Sequence, residues 1–150
     1  MFINNNFLKK KIKDLILDFS KSPIVGKKII LKETLEKMIH FKIGIACVVD
    51  KNNNLLGVIT DGDLRRKLLS NQKPWSALLN DDTINHCEKK PITINCNDSI
   101  KKAINIIIKR RVWDLPVLDT NKKFLGILHL QDILYIIMKK KKFSSNRFKH

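Results

Sequence analysis

Two kinds of apolar pattern alternate along this chain. Leu31, Leu35, Met38, Ile39 and Ile43 recur at helical spacing, with Lys and Glu between them. That spacing predicts an amphipathic helix with one buried face. A short apolar run follows, IACVVD (45–50), then a turn rich in Asn and Lys, then a second run, LLGVIT (55–60). Short runs bounded by turn residues predict strands. A second helix, DLRRKLLS (63–70), closes the unit, and an extended stretch, PIVGKKII (23–30), opens it. The predicted order is β-α-β-β-α.

The same order returns 69 residues later. PITINCN (91–97) is the extended stretch, and Asp98 or Ser99 caps a helix running to about Lys109. DLPVLD and FLGILH are the paired strands, and DILYIIMKK is the closing helix. Aligning 45–66 with 114–135 leaves six of 22 positions identical, among them Asp50/Asp119, Gly57/Gly126 and Asp63/Asp132. Residues 72–90 link the copies, with a helical turn expected from Trp75 to Leu79. One copy has too little surface to bury on its own. Two copies packed sheet to sheet about a pseudo-twofold axis solve that, and the expected fold class is α+β. Val48, Ile59, Val117 and Leu128 are expected in or near the shared core. The division is 12–79 for the first repeat and 80–138 for the second, with basic tails at 1–11 and 139–150.

Charge alters this picture little. The chain of 150 residues carries a formal net charge of +16. Lys9, Lys10, Lys11 and Lys13 supply four positive charges and residues 139–150 supply six, which leaves +6 for the body. Lys outnumbers Arg 25 to 5, beside 22 Ile and 14 Asn. All three abundant residues have A/T-rich codons, which is explanation enough. Nucleic-acid surfaces favour arginine and stacking aromatics, so a nucleic-acid partner is not expected. No apolar run reaches the ~20 residues that cross a bilayer, and the N-terminus lacks the order of a secretory signal. A soluble, cytoplasmic chain with no membrane partner is therefore expected. Cys47, Cys87 and Cys96 form no CxxC pair, so neither a zinc site nor a disulfide framework is expected.

The candidate chemistry sits where the last helix of each repeat begins. In TDGD, Thr60 and Asp63 have the spacing of a capping box. The same carboxylate, facing a cleft, could accept both hydroxyls of a ribose, and the helix N-terminus could hold phosphate. In the second repeat His129 stands in place of Thr60, ahead of Asp132, and supplies an imidazole that titrates near neutral pH. Arg65-Arg66 and Arg110-Arg111 suit phosphate, or equally a solvated helix face. Trp75 and Trp113 read as core or interface fillers. No Ser-His-Asp set, HExxH or P-loop occurs, so neither a catalytic nor a metal site is expected.

Gly57-Val58-Ile59-Thr60-x-x-Asp63 and Gly126-Ile127-Leu128-His129-x-x-Asp132 resemble the tandem CBS domain pair, or Bateman module. TDGDLRR and GILHLQDIL, with IKDLILDFSKSPIV (12–25) as lead-in, are similar to the C-terminal half of the arabinose-5-phosphate isomerases of the sugar-phosphate isomerase family. The resemblance implies a regulatory module without chemistry of its own. Its ligand would be AMP, ATP or a sugar nucleotide, bound at Thr60, Asp63, His129 and Asp132. It implies a base pocket at Ile24-Val25 and Ile92-Thr93, and a homodimer joined through helices. Those isomerases carry a catalytic domain ahead of the pair, whereas eleven residues precede the resemblance here. The alternative is thus part of a split isomerase working with a separate catalytic chain.

Overall fold

The computed structural model describes residues 5–15 and 22–145, with side chains through Lys139. The outermost parts of both basic tails and residues 16–21 of the lead-in lie outside the described residues. In chain order the elements are α1 (Asn5–Leu8), β1 (Ile24–Val25), α2 (Leu31–Phe41), β2 (Ile45–Val49), β3 (Leu55–Thr60), α3 (Asp61–Ser70) and α4 (Trp75–Leu79). The second repeat follows with β4 (Ile94–Asn95), α5 (Ile100–Arg110), β5 (Asp114–Leu118), β6 (Phe124–His129) and α6 (Leu130–Ser145). Two short 3-10 turns stand ahead of the repeats, Ile12–Asp14 and Thr83–His86. The β-α-β-β-α order is present twice, as the pattern predicts, and the fold is a mixed α and β one.

Each repeat forms its own three-stranded sheet, ordered β1-β2-β3 and β4-β5-β6. The first pair in each is parallel and the second antiparallel. The repeated Asp and Asn have a local cause. Asp50 Oδ1 accepts the backbone N–H of Asn52 (2.8 Å) and Asn54 (2.9 Å), and Asp119 Oδ1 accepts those of Asn121 (2.8 Å) and Lys123 (2.8 Å). Each carboxylate thereby ties off a hairpin turn. The turns also touch each other, since the Phe124 N–H donates to Asn53 O (2.8 Å) and Lys123 Nζ to Asn54 Oδ1 (2.7 Å).

Helices α2 and α5 stop at Lys42 and Arg111, both left-handed, with φ of 55° and 53°. Of the two candidate caps for α5, Ser99 takes the Lys102 N–H (3.1 Å), while Asp98 pairs with the Lys102 ammonium (2.8 Å).

The core has three parts. Leu31, Met38, Ala46, Ile59 and Leu78 lie between the first sheet and its helices. Ile94, Ile100, Ile107, Leu115, Val117, Leu128 and Ile133 do the same in the second repeat. Between the sheets lie Ile45, Cys47, Val49 and Val58, packed with Phe124 and Ile127. This corrects the expected parity. Val48, Ile59, Val117 and Leu128 are completely buried, but Ile59, Val117 and Leu128 face the helices of their own repeat. A pleated strand sends its neighbours to opposite faces, and the shared core takes the other set.

The segments ahead of the two repeats are exchanged. Ile12 and Leu15 precede the first repeat but are buried in the core of the second, together with Phe7. The Ile12 N–H donates to Asp98 O (3.0 Å), and Lys10 O accepts from the Ile100 N–H (2.9 Å). Residues 81–83, ahead of the second repeat, make the equivalent bonds to the first: Thr83 N–H to Ile29 O (2.9 Å) and Leu31 N–H to Asp81 O (2.9 Å). A buried hydrogen bond between the Thr34 and Thr83 hydroxyls (2.6 Å) secures that second clamp.

Candidate functional site

The starts of α3 and α6 line one open cleft of about 870 Å³. Equivalent pieces of both repeats build it: Lys42–Ile45 and Arg110–Asp114 after the first helices, Thr60–Asp63 and His129–Gln131 before the last. The linker adds Glu88 and Lys90–Ile92 as a further wall. The linker crosses close to the first sheet, where Val58 and Glu88 exchange backbone bonds (3.0 and 2.8 Å). Only glycine fits beside that crossing: a Cβ on Gly57 would stand 2.7 Å from Cys87 Cβ and 3.0 Å from Glu88 O.

Thr60 and Asp63 form the capping box in full. The Asp63 N–H donates to Thr60 Oγ1 (3.2 Å), while Asp63 Oδ2 accepts the Thr60 N–H (2.9 Å) and hydroxyl (2.8 Å). Arg66 donates to the other oxygen, Oδ1, at 2.5 Å. Burial pushes the Asp63 carboxyl up, but the hydrogen bonds from Thr60 and Arg66 outweigh it and hold the group below the usual carboxylate range. Asp63 is therefore a fixed, ionised acceptor whose side chain remains 23% exposed. The Thr60 hydroxyl spends its one proton on Asp63. The first N–H of α3, on Asp61, is spent on Gly44 O (3.0 Å). Of the N–H groups at this helix start, those of Asp61 and Asp63 are taken, and Gly62 lines the cleft.

The second repeat keeps half of this device. The His129 N–H donates to Asp132 Oδ2 (3.2 Å), and no side-chain hydroxyl completes the box. The His129 ring turns away to Asp114, Nδ1 against Oδ1. Its Nε2 is buried without a partner. Burial lowers the pKa of this imidazole, but the hydrogen bond and charge of Asp114, with Asp132 behind, raise it overall.

Neither tryptophan is a core residue: Trp75 is 42% exposed, and Trp113 stands at the cleft. Its side chain is 71% exposed and lines the cleft. It occupies the position of Gly44 in the first repeat. A Cβ on Gly44 would lie 2.7 Å from Asp61 Oδ2, so glycine admits a carboxylate there. The second repeat has Leu130 in place of Asp61 and a tryptophan in place of the glycine. That exchange of partners is legible in the sequence once the repeats are aligned.

Of the residues singled out from sequence, the cleft brings together Thr60, Asp63, His129 and Ile92, with Arg65, Arg66, Arg110 and Arg111. Val25, Thr93 and Asp132 are not among its lining residues. Val25 is buried in β1 opposite Val48. Among the described residues, no cluster of His, Cys, Asp and Glu is placed to hold a metal, and no helix is long and apolar enough to cross a membrane.

Comparison with known proteins agrees with the architecture. The model of the CBS domain family matches residues 12–70 and again 84–139. Protein RP505 of Rickettsia prowazekii is 30% identical over 126 residues, an alignment that takes in 83% of this chain and 37% of that one. Arabinose 5-phosphate isomerase GutQ of Salmonella typhimurium is 32% identical over 90 residues, 60% of this chain and 26% of the isomerase. The chain thus spans well under half the length of these relatives. Among solved structures, CBSX2 in complex with AMP superposes with a TM-score of 0.74 at 21% identity, over 87% of this chain and 98% of that one. That likeness bears on the fold. The family match covers most of the chain and occurs twice, once over each structural repeat: this protein belongs to the CBS domain family, as a tandem CBS pair.

Proposed function

We propose that this chain is a regulatory module that binds an adenosine nucleotide in the cleft between its repeats and performs no covalent chemistry itself. The observation that carries this is Asp63. It is an ionised carboxylate pinned by its own capping box at the edge of a cleft rich in cations. A carboxylate so held suits the paired hydroxyls of a ribose, because it need not be ordered on binding. Arg66, whose side chain is 69% exposed, can release Oδ1 to a hydroxyl at little cost. The volume lies within the usual range for small-molecule sites. The AMP complex of CBSX2 adds support by likeness of fold.

Isothermal titration of the intact chain with AMP tests the reading. Binding is expected, and Asp63→Ala should weaken it by roughly 10- to 100-fold. No heat at millimolar AMP or ATP would overturn it.

The similarity to GutQ favours a second reading, in which the chain works with a separate sugar isomerase. Adding the chain to such an isomerase domain should then change its rate of aldose–ketose interconversion, and an unaltered rate would remove this reading.

The module is further proposed to dimerise. Ile39 and Ile108 are equivalent positions, as are Leu69 and Met138, and all four are at least 66% exposed. Apolar groups repeated by the internal twofold suit a second copy, because an isologous interface needs self-complementary patches. Light scattering at tens of micromolar should give twice the chain mass, and Ile39→Lys with Ile108→Lys should return it to one.

A further inference from the structure

Arginine is scarce in this chain, five residues against 25 lysines, yet four of the five line this one cleft. Their distribution is uneven. Arg65 and Arg66 stand beside Asp63 in the first repeat, where the second has Leu134 and Tyr135. Arg110 and Arg111 stand across the pseudo-twofold axis, where the first repeat has Phe41 and Lys42. Among the described residues only Arg66 of these four has a carboxylate partner. Arg65, Arg110 and Arg111, with Lys42 and Lys90, present charges with no ion pair. On the acidic side, Asp63 is held by Thr60 and Arg66, Asp114 by His129, and Glu88 by the Lys90 N–H (2.7 Å), while Asp61 lines the cleft with an exposed carboxylate.

Asp63 is therefore the one carboxylate of the cleft pinned by a capping box, and a surplus of guanidinium forks lies on the opposite side. The equivalent acceptor in the second repeat is closed, because the His129 ring is engaged by Asp114 and Asp132 does not line the cleft. The starts of α3 and α6 have already spent their first N–H groups on Gly44 O and Trp113 O (both 3.0 Å). The charge that can meet a phosphate is then that of the arginines, whose planar forks match phosphate oxygens in pairs.

We infer that the cleft takes one nucleoside polyphosphate per chain, its ribose on Asp63 and its phosphate chain crossing the pseudo-twofold axis to Arg110 and Arg111. This rests on the nucleotide reading of the cleft and adds three things to it: a stoichiometry of one, an orientation, and selection for two or more phosphates over one.

Titration of the intact chain with adenosine, AMP, ADP and ATP in buffer free of divalent cations tests it. The charge on ATP is then not masked. Affinity should rise along the series, with ATP roughly 5- to 30-fold tighter than AMP and one site per chain. In the double variant Arg110→Ala, Arg111→Ala the ATP-to-AMP ratio should fall to about one. Both residues are exposed, so its thermal unfolding should stay close to that of the parent and exclude a folding defect. Equal affinities for AMP and ATP, or two equivalent sites, would overturn the inference and leave the nucleotide reading standing. Inorganic tripolyphosphate binding as tightly as ATP, with Asp63→Ala changing neither, would overturn it in favour of a simple polyanion patch. Absence of binding throughout would remove the nucleotide reading itself, and this inference with it.

Discussion

Asp114 and His129 are register partners across β5 and β6, and their side chains meet Oδ1 to Nδ1 at the edge of the cleft. In the first repeat the equivalent register pair is Ile45 and Thr60, which brings no such charges together. The pairing of Asp114 with His129 also sets a pH dependence. The folded state raises the His129 pKa above its ordinary 6.5, so it binds a proton more tightly than the unfolded chain does. The stabilisation is present in full below 6.5 and fades as pH rises through the raised value. The urea midpoint should therefore fall on going from pH 6 to the alkaline side of the His129 titration, and Asp114→Asn should flatten that fall. An identical fall in the variant would place its origin elsewhere.

The two helix starts should differ in worth. Asp63→Ala removes three hydrogen bonds that hold the opening of α3, and it should lower stability by about 0.5–2 kcal/mol. Asp132→Ala removes a single bond to the His129 N–H and should cost less. Equilibrium urea unfolding of both variants measures the difference. Equal losses would mean that the complete box adds nothing to its half.

Ile12→Ala should destabilise the protein by about 2–5 kcal/mol, the range for emptying a buried aliphatic site. Ile12 is completely buried among Ile94, Ile100, Leu115 and Ile133 of the second repeat. Hydrogen exchange locates the effect: the Ile100 amide, bonded to Lys10 O, should lose protection before Leu31 does. Faster exchange in the first repeat alone would contradict the exchanged packing.

Two thiols, Cys47 and Cys87, should be nearly inert in the native chain. Burial raises Cys47 far above its ordinary value, with Cys87 and Asp114 adding to the rise. Burial likewise lifts Cys87, to about 11. Thiolate is the reactive form, so iodoacetamide at pH 8 should label Cys87 slowly and Cys47 only as fast as the protein unfolds. Rapid labelling of Cys47 would mean that the sheets separate readily.

The repeat, its element order and its capping residues were legible because each is a local device. Asp50 and Asp119 tie off hairpins, Ser99 caps a helix, and Thr60 with Asp63 closes a box, all within four residues. The facing of the strands was not legible, because every residue of β2 is buried and a strand covered on both faces shows no alternation. Ile12 and Leu15 misled for another reason: sequence order attaches them to the repeat they precede, and only the fold carries them to the other. Within the cleft, the capping carboxylate of Asp63 could be read from its spacing. The pairing of His129 with Asp114 could not, since it depends on which way the His129 ring turns.

The exchanged lead-ins also set a timetable for synthesis. Phe7, Ile12 and Leu15 leave the ribosome well before the second repeat, and their partners extend to Ile137, about 125 residues later than Ile12. At ordinary elongation rates of ~5–20 residues per second, the interval is roughly 6–25 s. Through that time the growing chain must carry three large apolar side chains with nowhere to bury them. The first repeat has meanwhile gained its own clamp from residues 81–83 and can begin to close. The lead-in 7–15 is thus made before the first repeat and buried after it, which leaves the nascent chain open to proteases and misassociation at a segment finished long before its partners.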